Sequence, residues 1–100
     1  MYATAGHNHA IVRGTGTSTA RIQGTCPETG RWVDLVIGHG ATPGIALGNA
    51  EGGLRDAGRD NVDNVTADAI LYALIVFVRL RVEAGARGTF DDGTNRIIVT

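Results

Sequence analysis

Lysine is absent, and nine arginines supply all the side-chain positive charge apart from the histidines. A phosphate loop built on Gly-Lys-Ser or Gly-Lys-Thr is therefore impossible. Cys26 is the single cysteine, which excludes an internal disulfide. Ser18 is the single serine, and it sits in a threonine-rich run with no nucleophile-elbow pattern around it. Aromatics are 5% of the chain, too few for a platform on which bases or sugars stack. Charged residues are 19%, below the usual quarter or so. The net charge of −1 argues against a nucleic-acid binder held by phosphate contacts, which needs a basic excess. The longest apolar run, 69–78, is half the roughly 20 residues a membrane crossing requires. The N-terminus has neither a basic start nor an apolar core, so synthesis in a cytosol without secretion is expected.

Glycine is abundant, at 15 residues. With the low charge, it favours a loop-rich, β-rich protein over a helical bundle. One hundred residues make one domain, and so small a body buries only about two-thirds of its unfolded surface. Association into an oligomer would cover what the monomer leaves open. The all-arginine bias suits bidentate ion pairs and interfaces, and a GC-rich genome produces the same bias.

The stretch 65–85 is the centre of any core. Residues 67–74 are mostly good helix formers, with Asn64 or Thr66 as a cap. Residues 75–82 (I-V-F-V-R-L-R-V) are rich in β-branched residues, and 78–82 alternates, so a strand is expected there. On that strand Arg79 and Arg81 share one face. The rival is a single helix over 67–84, which would stack Leu71, Leu74, Ile75, Val78 and Val82 and end at Gly85.

Residues 1–8 read as a flexible or partner-bound arm, and 9–100 as one β-rich domain. Short strands are expected at 9–13 and 17–23. A turn at 26–30 leads to a strong strand at 31–37, so 17–37 forms a hairpin. Strict alternation in that strand puts Trp32, Asp34 and Val36 on one face, with Trp32 as a core or interface anchor. Residues 38–44 break it, and 49–64, rich in Gly, Asp, Asn and Arg, read as a long loop. The pair Asp92-Gly93 marks a closing hairpin that ends in 96–100. The expected fold is mainly β, a small sandwich or barrel with at most one short helix. The alternative is α+β with one long central helix over 67–84.

The chemistry-bearing residues are sparse. His7, His9 and His39 are the weak metal candidates; with Cys26 they would make four ligands, but their spacing fits no standard zinc site. Cys26 could act as a nucleophile only if His39 and a helix N-terminus converged on it. Asp56, Asp60 and Asp63 make an oxygen-rich cluster without the spacing of a calcium loop. No catalytic or cofactor-binding residue is assigned, no cofactor is expected, and the chain reads as a non-enzyme. Trp32, Arg79 and Arg81 are the interface candidates.

Three function classes remain: a structural interaction protein, a small metal-binding module or enzyme using His7, His9 and His39, and a ligand-binding barrel with 49–64 as a lid. In its N-terminal arm, the 15–23 stretch and the hairpin ending in 96–100, the chain resembles the small virion proteins of tailed bacteriophages, capsid decoration (cement) proteins in particular. The likeness is one of overall style; no diagnostic motif matches, and no residue role is carried over. It implies a β-rich subunit that stabilises a capsid surface, with the major capsid protein and its own copies (a dimer or trimer) as partners. Location in a virion made in a bacterial cytoplasm follows, and head–tail or tail structural proteins are the neighbouring possibility. From the net charge and the short apolar run, neither nucleic-acid nor membrane partners are expected.

Overall fold

The computed structural model describes residues 10–25, 29–61 and 65–100. Along the chain come β1 (Ile11–Arg13), β2 (Ser18–Thr25), β3 (Trp32–Gly40), α1 (Pro43–Asn61), α2 (Val65–Glu83), β4 (Gly88–Asp91) and β5 (Asn95–Val99). The strands form one five-stranded sheet in the order β1-β3-β2-β5-β4. β1 runs parallel to β3, and every other pair is antiparallel. The molecule is an α+β domain built on this sheet, with α1 lying across β3, β2 and β1 and α2 over β5.

The expected hairpins form. β2 pairs with β3 through the register Ser18↔Gly40 to Thr25↔Trp32. β4 pairs with β5 around a turn in which Gly93 takes φ +89°, a conformation glycine adopts without strain. The Asp91 carboxylate accepts from Gly93 N at 3.1 Å, and that of Asp92 accepts from Thr94 N and Asn95 N at 2.9 and 2.8 Å. Short acidic side chains thus complete the turn that Asp-Gly signals.

The core lies between the sheet and the two helices. Ala20, Ile22, Val36, Ile97 and Val99 point up from the strands. Ala46, Leu47, Ala50 and Leu54 come down from α1, and Leu71, Leu74, Ile75 and Val78 from α2. Each fully buried aliphatic side chain contributes about 1.5–3 kcal/mol.

Several expectations need correction. The expected sheet forms and the α+β alternative holds, but among the described residues the sheet is single and open, neither sandwich nor barrel, and two 19-residue helices stand where at most one short one was expected. The long central helix of the alternative forms: 75–82 is helical, so Arg79 and Arg81 do not share a strand face. Leu71, Leu74, Ile75 and Val78 fall on one helical stripe, and burying all four outweighs the modest cost of β-branched residues in a helix. Within the expected loop 49–64, residues 49–61 are not a loop or a lid but belong to α1. Its start carries a cap: Ile45 N donates to the Thr42 hydroxyl at 3.2 Å, and Pro43 is the first helical residue. Alternation along β3 also breaks. A bulge opposite Ile22 and Gln23 buries both Leu35 and Val36, so Trp32 and Asp34 do not share a face with Val36. The arm assigned to 1–8, with His7, lies outside the described residues, as do His9 and Cys26.

Candidate interaction surface

Both helices pack on one face of the sheet, and among the described residues no element covers the other. That open face is built by alternation. β2 contributes Thr19, Arg21 and Gln23, β3 contributes Trp32, Asp34, Ile37 and His39, and β5 contributes Arg96 and Ile98. Val12 on β1 and Thr89 and Asp91 on β4 extend it to the two edges.

The bulge in β3 sets the centre of this face. Because two residues of β3 span one position of β2, Asp34 comes level with Gln23 and faces outward. Its carboxylate then accepts twice. Arg21 Nη1 donates to Oδ2 at 2.7 Å, and Gln23 Nε2 donates to Oδ1 at 2.7 Å. Gln23 Oε1 in turn accepts from Arg96 Nε at 2.5 Å. The Arg96 guanidinium lies 4.5 Å over the Trp32 ring. A continuous chain, Arg21–Asp34–Gln23–Arg96–Trp32, therefore crosses three strands. Gln23 is only 8% exposed, so the middle of the chain is shielded while its ends meet solvent. Each member fixes the next, so the rotamers of a tryptophan and two arginines are set before any partner arrives. The half-buried Ile37 and Ile98 sit on either side of Arg21, and Val12, at 57% exposed, lies beyond Ile37.

The other singled-out residues stand apart from this face or from one another. Arg79 turns toward α1 and pairs with Glu51, whose second oxygen accepts from Arg55 Nη2 at 2.9 Å. That cluster ties the two helices together. Arg81 points elsewhere on α2, with its guanidinium 4.8 Å over the Phe77 ring. His39 is on the open face, half-buried, and its backbone oxygen accepts from Asn49 Nδ2 at 2.7 Å. Among the described residues no three His, Cys, Asp or Glu side chains converge as a metal site would require. No described helix is long and apolar enough to cross a membrane. A cleft of about 260 Å³ opens where α1 begins and α2 ends, lined by Thr42, Pro43, Val82, Glu83 and Arg87 among others. The Thr42 hydroxyl there already serves as the helix cap.

Of the network, Trp32 was legible in the sequence as an anchor. Arg21, Gln23, Asp34 and Arg96 were not singled out, because their meeting depends on strand order and on the bulge. The available signal was alternation, since each occupies a polar position between apolar neighbours in a strand-like run. Comparison of the chain with protein-family models, curated proteins and solved structures finds no match.

Proposed function

We propose that the chain is a non-enzymatic structural protein that works by docking on another protein through the open sheet face. The observation that carries this reading is the Arg21–Asp34–Gln23–Arg96–Trp32 network on a sheet face that no described element covers. Tryptophan and arginine are the residues that most often dominate binding energy at interfaces. Held by a rigid sheet and by one another, they lose little freedom on binding. Arg21 and Arg96 are balanced across the face by Asp34 and Asp91, which favours a protein partner over a polyanion. Within this reading the partner is a virion surface, the major capsid protein, and the chain is a decoration subunit of a phage particle. That narrower step rests on the chain's likeness in style to such subunits.

The test is co-sedimentation with purified particles of the virus that encodes the chain. Wild-type protein should travel with the particles, while Trp32→Ala and Arg96→Glu should stay behind with unchanged circular dichroism. Protein that never joins a particle removes the virion reading. Binding that survives both substitutions removes the sheet face. A native mass spectrum showing one zinc bound through His39 would instead favour the metal-binding class.

A further inference from the structure

We infer that β4 and the adjoining side of α2 form a two-fold interface with a second copy of this chain. The inference stands on features remote from the Trp32 network and does not depend on it.

The first feature is the sheet edge. Among the described residues β4 ends the sheet and pairs only with β5. Asp92 N donates to Asn95 O at 3.1 Å, so the pair 92/95 is a hydrogen-bonded one. Pairs alternate in an antiparallel ladder, so 90 and 88 bond to β5 while 89 and 91 turn their N–H and C=O groups outward. No strand among the described residues takes up those groups, and they form a ladder of the kind another strand completes.

The second feature is self-complementarity. An antiparallel pairing of two β4 strands centred on Thr89 joins Thr89 to its own copy with both outward bonds exchanged. The same register sets the exposed Arg87 of each copy opposite the exposed Asp91 of the other. It also sets Gly88 opposite Phe90, an aromatic over a glycine that has no side chain of its own to offer. A register centred on Asp91 would instead oppose two carboxylates, so charge selects among registers.

The third feature is an exposed aromatic on α2, Phe77, which is 47% exposed. α2 lies over β5, the neighbour of β4, so it is the helix nearer this edge. Arg79 points to α1, where it meets Glu51. Phe77, two residues away and so about 200° around the helix, points away from α1 and toward the β4 side. In the two-fold dimer both α2 helices lie on the same face of a ten-stranded sheet, antiparallel across the axis, with Phe77 of each on the side that faces the axis, while Leu80 and Val76, about 100° and 60° around from Arg79, point away from the sheet. A stable interface takes about 800 Å² from each partner. A five-residue ladder falls short of that, and Phe77 on the adjoining side of α2 supplies further apolar area.

The experiment is sedimentation of the full chain over a range of concentrations, with three variants. Thr89→Pro removes an outward N–H that β5 does not use, and should leave folded monomer. Phe77→Glu should do the same from the helix side. Arg87→Asp alone should weaken association about tenfold, since the change occurs twice about the axis, and Arg87→Asp with Asp91→Arg should restore it. Wild type that stays monomeric at every concentration overturns the inference, as does a trimer. A dimer indifferent to Phe77→Glu and to the charge swap overturns it too, even if Thr89→Pro fails to fold. In either event the docking reading of the opposite sheet face stands or falls on its own test.

Discussion

The two helices have equal length and opposite construction. α1 contains five glycines among its 19 residues, together with Asn, Asp and Arg; α2 contains no glycine and is apolar on most of its circumference. On propensity alone α2 should be the firmly held one, since each glycine in a helix interior costs about 0.5–1 kcal/mol against alanine. Yet α1 lies across three strands, whereas α2 lies over one and leaves Val76, Phe77 and Leu80 open. The difference teaches that backbone approach holds α1 down. A Cβ at Gly38 of β3 would stand 2.1 Å from Ala46 O and 2.5 Å from Ala50 N, so the helix backbone sits directly on the strand. The alanines Ala46 and Ala50 allow the same closeness from the other side. α2 is held by side chains instead, and a helix with apolar residues all round offers more of them than a two-layer fold can cover.

The largest expected effect comes from breaking that close approach. Gly38→Val should lift α1 and cost more than about 3 kcal/mol, leaving little or no cooperative thermal transition. A variant that melts like the wild type would show that α1 is not seated where described. Next comes the link between the helices. Glu51→Ala strips the partner from Arg79 and Arg55, both of which are partly solvent-exposed, so screening limits the loss to about 1–2 kcal/mol. Urea unfolding would measure it, and the gap from wild type should narrow in high salt. Equal midpoints at low salt would mean the two helices are held together by packing alone.

The smallest effect sharpens the comparison from the opposite direction. A Cβ at Gly48 or Gly52 would meet nothing within 4 Å. Alanine at either position should raise stability by about 0.5–1 kcal/mol, seen as a higher melting temperature, because only propensity changes. A lower melting temperature would reveal that this side of α1 is occupied in solution.

The same contrast explains what could be read from the residues. The hairpin at 91–95 was legible because Asp91, Asp92 and Gly93 complete it with their own atoms. The pairing of β2 with β3 was legible because alternation and a short connection suffice. The centre of the core at 65–85 was legible as an apolar run, but its conformation was not. The alternation Val78-Arg79-Leu80-Arg81-Val82 looks like a strand until Leu71, Leu74 and Ile75 are given a shared helical face with Val78. α1 was the hardest, because its glycines mimic a loop and their use depends on a strand elsewhere in the chain. Its signal was the Thr42-Pro43 start and the spacing of Ala46, Leu47, Ala50 and Leu54. In the interaction surface, Trp32 stood out by rarity, while its partners are ordinary polar residues made special by position.

The sequence by itself determined the local turns, the hairpins, the absence of disulfides and of a lysine phosphate loop, and the apolar segment that must be buried. These depend on residues close together in the chain or on composition alone. The tertiary structure decided that 75–82 is helical, that a glycine-rich stretch is a helix, and that Asp34 faces outward beside Gln23 and Arg21. Each of those outcomes is set by contacts between distant residues: a stripe of burial, a close backbone approach and a one-residue bulge. Local preference there is too weak or too balanced to choose.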